Sequence, residues 1–144
     1  MNAAIATTPA LDSDKRDAFA GRLFESTLGA LDLVTVFEAL HDMSRPVDAL
    51  RTMHRLVAKD GAVLVMDERV SEAFELPTTE TERFLYQCSV LLCLPNGMAE
   101  QPSAATGTVM REETMRRYAE GAGFSSVRVV PIEHELFRFY PLKP

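Results

Sequence analysis

The stretch "DLVTVFEALHDM", residues 32–43, decides how this chain is read. Leu33, Val34, Val36 and Phe37 run almost uninterrupted, the pattern of a strand buried on both faces of a parallel sheet. The run then breaks into Glu38, His41, Asp42 and Met43, a cluster of acid, imidazole and thioether at the strand's carboxyl end. Ligands of open α/β sheets bind beyond that end, so the cluster lies where a site belongs.

Beyond the cluster, Ser44 and Pro46 open a helix in which Val47, Leu50, Met53, His54 and Val57 recur at helical spacing until "KDG" closes it. "GAVLVMDERV" is a second apolar strand, and it too ends in charge at Asp67, Glu68 and Arg69. Strand, helix and strand with short connections predict a βαβ unit with parallel strands. "TTETERFLYQCSVLLCLP" predicts a long apolar helix stopped by Pro95, and "NGMAEQPSAATGTV" a glycine- and proline-punctuated loop. "MREETMRRYAEGAGF" predicts a helix with Met115, Tyr118, Ala119 and Ala122 on one face. The alternating segments "SSVRVVPI" and "ELFRFYPLKP" predict an antiparallel hairpin at a sheet edge. Toward the amino terminus, residues 1–11 read as a loose lead-in. Ala18, Phe19, Leu23, Thr27 and Leu28 then share one side of a helix over 13–28 that Gly29 ends.

With 144 residues and 47% hydrophobic content, the chain suits one packed core. A net charge of −6, with Lys and Arg scattered, excludes a nucleic-acid partner, which needs clustered cations against phosphate. No apolar run approaches the roughly 20 residues that cross a bilayer. The first residues lack a signal peptide's charged start and apolar middle, so the expectation is no membrane and a cytoplasmic protein. Cys88 and Cys93, five apart, match neither a CxxC pair nor a zinc spacing and read as buried free thiols. His54 reads as a structural histidine, and His134 between Glu133 and Glu135 offers too few ligands for a metal. No metal is expected.

"DLVTVFEALHDMSRPVDALRTMHRLVAKDGAVLVMDERV", "MRRYAEGAGFSSVRVV" and the closing hairpin together resemble the carboxyl-terminal half of class I S-adenosylmethionine-dependent methyltransferases, over roughly residues 31–144. The fold class this implies is α/β, a truncated Rossmann-like sheet with one parallel βαβ unit, a carboxyl-terminal antiparallel hairpin and flanking helices. Residues 1–30 then form a separate lead-in and helix. The resemblance places the glycine-rich cofactor loop upstream of Asp32, yet the 31 residues there hold no GxG and no strand-like run. "RDAFAGRLFESTLGALDL" resembles the opening helix of the helical or winged-helix dimerisation region in one branch of the family. The chain thus reads as that helix joined directly to the fourth strand, an internal deletion. Loss of the first three strands would leave "LVTVF" as an apolar edge. The expectation is a homodimer or domain-swapped dimer, or the helix over 13–28 folded across the edge.

By this resemblance, Phe37 and Glu38 line the methionine end of S-adenosylmethionine, and Tyr86, Cys93 and Met98 lie on the segment that covers a small-molecule substrate. Leu92 stands where relatives place a histidine. From the residues themselves, His41 or Asp42, with Glu38, suits removal of a proton from an attacking oxygen or nitrogen. The plainer alternative is that Glu38 and Asp42 cap the following helix or face solvent. Asp67 and Glu68 form a second acidic pair, expected to point to opposite faces of their strand. The function expected is a methyltransferase-like protein that holds its cofactor weakly alone and acts as a dimer. An active enzyme completed by another chain, or a cofactor-free acid–base enzyme, are the alternatives.

Overall fold

A computed structural model describes residues 25–144. The lead-in over 1–11 and most of the helix expected over 13–28, including Ala18, Phe19 and Leu23, lie outside the described residues. Residues 25–27 are helical, and the chain turns at Gly29 with φ +64°.

Two strands, β1 (Leu31–Phe37) and β2 (Val57–Glu68), run parallel, with Val34 opposite Val63 and Phe37 opposite Met66. A 3-10 turn over Leu40–Asp42 and helix α1 (Pro46–Leu56) connect them, so the βαβ unit stands as expected. Pro46 opens α1 because its fixed φ suits a first turn, where no N–H is needed. Arg45 rather than Ser44 precedes it, and no side chain caps it.

Val57, read from the sequence as helical, is the first residue of β2, and "KDG" is no turn but part of that strand. A β-branched valine paired with Leu31 of β1 prefers the extended backbone it adopts here (ψ 140°). The ladder bulges at this point: Leu31 pairs with Val57, but Leu33 pairs with Ala62. Gly61 makes the bulge possible, since a Cβ there would meet Val57 Cγ2 at 2.7 Å and the carbonyl oxygens of Asp32 and Leu31 at 2.8 and 2.9 Å.

The sheet order is β1-β2-β4-β3, with β3 at Ser126–Val127 and β4 at Phe137–Lys143. The antiparallel pair is present, but β4 is an interior strand, pairing Tyr140 with Val65 of β2. Only two residues of "SSVRVVPI", Ser126 and Val127, form ladder. The rest of that segment follows β4 loosely, through the Val130 N–H to the Phe139 carbonyl at 2.9 Å.

Between β2 and β3 come α2 (Glu80–Cys88), a π-turn over Ser89–Cys93, the short helix α3 (Leu94–Gly97) and α4 (Glu112–Ala122). Thr79 Oγ1 caps α2 by accepting from the Glu82 N–H. Pro95 does not stop this run: it sits in the first turn of α3, which continues directly from the π-turn. α4 ends at Gly123, which takes φ 100°.

Helices α1 and α4 pack on one sheet face, where Leu50, Met115 and Ala119 bury against Val63, Val65, Tyr140 and Leu142. Each large side chain buried there contributes about 1.5–3 kcal/mol. The alternate residues of β1 face the other way, leaving Leu33 56% and Phe37 48% exposed. This corrects the expectation that β1 is buried on both faces. Among the described residues β1 is an edge strand, which is what the loss of three strands predicts. The mixed sheet with one parallel unit, antiparallel closing strands and flanking helices is the expected fold class. Among the described residues no helix is long and apolar enough to cross a membrane.

Candidate functional site

β1 delivers the chain to the rim at Phe37, and Glu38 then adopts φ 47°, a left-handed conformation uncommon for a residue with a side chain. Its N–H is held by the Met66 carbonyl at 2.9 Å. This corner feeds the 3-10 turn that buries His41, 2% exposed, against the end of β2. His41 Nδ1 donates to Asp67 Oδ1 at 2.6 Å, and Glu68 Oε2 lies 3.1 Å from the same nitrogen. On the other side of the ring, Asp42 Oδ1 is 3.3 Å from Nε2. Asp67 and Glu68 therefore do not diverge to opposite faces as alternation suggests. Glu68, one methylene longer, reaches the nitrogen that Asp67 holds.

The electrostatics follow from this packing. Burial disfavours a charged imidazole, but the hydrogen bonds and negative charge of Asp67 and Glu68 outweigh it and raise His41 to about 11. Burial also raises Asp67; the bond to His41 pulls the other way, Glu68 adds to the rise, and the carboxyl titrates at about 7. Glu68 is held down at about 2, because the His41 bond and its contact with Asp67 overcome the effect of burial. At neutral pH His41 is an imidazolium that ties the carboxyl ends of β1 and β2 together, not a free base.

The remaining sequence candidates fall in different places. Phe37 and Glu38 are exposed on the rim. Asp42 borders a cleft of about 390 Å³ that Met43, Asn96 and Glu100 also line, a volume suited to a small molecule. Cys93 comes to the same corner: its sulfur, His41 and Asp42 offer atoms all within 4.8 Å of one another. Tyr86 does not join them. Its hydroxyl accepts from Arg111 Nη2 at 2.9 Å, and that guanidinium also pairs with buried Glu82 at 3.1 Å. Met98 follows α3 and is a little under half exposed.

Cys88 and Cys93 are half-buried rather than buried, because only one face of the helical run they sit on packs inward: Leu85 and Ser89 are buried, whereas Phe84, Val90, Leu91 and Leu92 face outward. His54 packs edge-on against Phe124 at 4.9 Å between ring centres. His134 Nδ1 accepts the N–H groups of Leu136 and Phe137, each at 3.2 Å, which gives it a structural place in the turn. The partnership of His41 with Asp67 escaped the sequence reading. Its signal was present in two strands of one parallel unit that each end in ionisable residues, since in-register parallel strands bring such ends together.

No family model and no curated protein matches this chain. Solved structures do. The mitomycin 7-O-methyltransferase MmcR aligns with a TM-score of 0.58 at 20% identity, over 89% of this chain and 37% of that one. An O-methyltransferase family protein from Burkholderia thailandensis aligns at 0.55 and 18% identity, over 85% and 32%. The trans-methyltransferase CalH, in complex with SAH, aligns at 0.53 and 19% identity, over 81% and 30%. The chain thus has a methyltransferase fold and spans about a third of the length of the structures it matches.

Proposed function

We propose that the chain is an S-adenosylmethionine-dependent methyltransferase-like protein that contributes one side of a cofactor and substrate crevice, holds the cofactor weakly alone, and acts as a homodimer. The observation that carries this reading is the open edge of β1. Leu33 and Phe37 stand exposed on a strand whose carboxyl end is the site's rim, and nothing among the described residues pairs with its outer edge. In open α/β sheets a crevice needs walls on both sides of such a strand end.

The residues present fit the cofactor on one side. Phe37 offers an exposed aromatic face at the rim, and Glu38, exposed beside it in sequence, holds the left-handed corner. When bound, S-adenosylmethionine supplies an electrophilic methyl group. Glu38 and Asp42 are the rim acids placed to accept a proton from an acceptor hydroxyl, with Asp42 on the cleft. His41 is a positioning residue: it fixes the rim through the bond from Nδ1 to Asp67. The sequence contains no glycine-rich loop, so backbone amides that would fix the rest of the cofactor are missing from these 144 residues, and affinity falls accordingly.

A twofold pairing of β1 with the β1 of a second copy would satisfy the open edge and bring Leu33 out of water. Sedimentation velocity at micromolar concentration tests this. The expected result is a dimer, strengthened by S-adenosylhomocysteine because a ligand held between two chains favours their association. Leu33→Glu should sediment as a monomer with unchanged circular dichroism. A monomeric wild type, or a Leu33→Glu variant that remains dimeric, contradicts the reading.

A further inference from the structure

We infer that His41 Nε2, Asp42 Oδ1 and Cys93 Sγ form a binding site for a zinc-type divalent cation at the corner between the 3-10 turn and the long helical run. The site goes beyond the methyltransferase reading and stands whether or not the chain binds S-adenosylhomocysteine.

Four observations converge. The three donor atoms come from two separate elements, yet all lie within 4.8 Å of one another. A tetrahedral zinc site, with bonds of about 2.0–2.3 Å, closes from such spacing by small side-chain rotations. The far nitrogen of His41 donates to buried Asp67 at 2.6 Å, which turns Nε2 toward Asp42 and Cys93. A carboxylate behind the ring is the usual way a metal-binding histidine is oriented. Asp42 Oδ1 is buried and makes no hydrogen bond, its polar neighbour being His41 Nε2 at 3.3 Å, although the side chain as a whole is about a third exposed. Finally, the backbone brings the sulfur there. The π-turn Ser89–Cys93 breaks the α-helical phase just before α3, and Gly97 lets α3 press on the 3-10 turn, since a Cβ at Gly97 would lie 3.3 Å from the Asp42 carbonyl oxygen.

The donor set selects the ion. Imidazole and thiolate favour zinc over magnesium or calcium, which prefer oxygen ligands alone. Three protein ligands leave a fourth position for water or an incoming oxygen or sulfur atom, as in catalytic rather than structural sites. Binding releases the Nε2 proton and the thiol proton to solvent. Asp67 and Glu68, one layer behind, add negative charge that favours the cation.

The test uses the full chain, stripped with a chelator and titrated with Co²⁺ and then Zn²⁺. The expected result is equimolar cobalt uptake with a thiolate-to-cobalt charge-transfer band and tetrahedral d–d bands, all lost on adding zinc. Cys93→Ser should abolish the charge-transfer band and weaken zinc binding at least about tenfold, whereas Cys88→Ser leaves both intact. Asp67→Asn should weaken zinc binding by about 10–100-fold through the orientation of His41. A wild type without the charge-transfer band overturns the site, as does a band that survives in Cys93→Ser. Should Cys93→Ser fail to fold, Asp42→Asn decides: loss of the tetrahedral d–d intensity supports the site, and an unchanged spectrum overturns it.

Discussion

At the scale of single residues, the account turns on His41. Its ring is enclosed by Asp42, Asp67 and Glu68, with Cys93 across the corner. Removing it leaves buried carboxylates facing one another, and breaking a buried pair from one side costs about 3–5 kcal/mol. His41→Ala should therefore lower unfolding free energy by that amount in urea titrations. The pH dependence of the metal-free protein has a definite sign. His41 is raised from 6.5 to about 11, so its stabilisation is complete below 6.5 and is lost as pH climbs toward 11. Glu68 is lowered from 4.5 to about 2, so its share is present above 4.5 and lost as pH falls to 2. Asp67 is raised from 3.8 to about 7, and its ionisation withdraws stability across that interval. The difference in Tm between wild type and His41→Gln should be widest between 4.5 and 6.5 and shrink steadily into alkali. A difference that grows above neutral pH would refute the imidazolium assignment.

At the scale of elements, the βαβ unit was legible because two apolar runs and an amphipathic helix each carry a local period. The ionisable residues at both strand ends were legible too. The bulge of β2 was not, because "KDG" carries a turn's composition and becomes strand only through its pairing with β1. Nor was the π-turn, since "SVLLC" has no local marker; it arises where the helical run meets the loop 98–111. Gly107 shows how tight that meeting is: it takes φ +69°, and a Cβ there would lie 2.2 Å from Ser89 Oγ. Gly107→Ala should cost about 1–3 kcal/mol, from left-handed strain together with overpacking. Adding Ser89→Ala should recover the overpacking share and leave the backbone share. Full recovery by the second substitution would show that the conformation of residue 107 is unstrained.

At the scale of the whole molecule, the sheet has a finished side and an unfinished one. β4 and β3 close it beyond β2, whereas among the described residues β1 ends it, with Leu33 and Phe37 exposed and no strand on its outer edge. Composition alone could not distinguish this from a central strand, because burial on both faces and exposure at an edge are properties of neighbours rather than of "LVTVF" itself. The expectation of an edge came from the resemblance to the carboxyl-terminal half of the methyltransferases. On the proposed function, the same edge leaves the crevice one-sided, so one chain should hold the cofactor weakly. Calorimetric titration of the purified protein with S-adenosylhomocysteine measures this directly. The account predicts no saturable binding to the monomeric Leu33→Glu variant below millimolar ligand, and weak binding that appears only where the wild type is dimeric. Micromolar binding to the monomeric variant would contradict it, because a single chain would then hold the cofactor without a second wall.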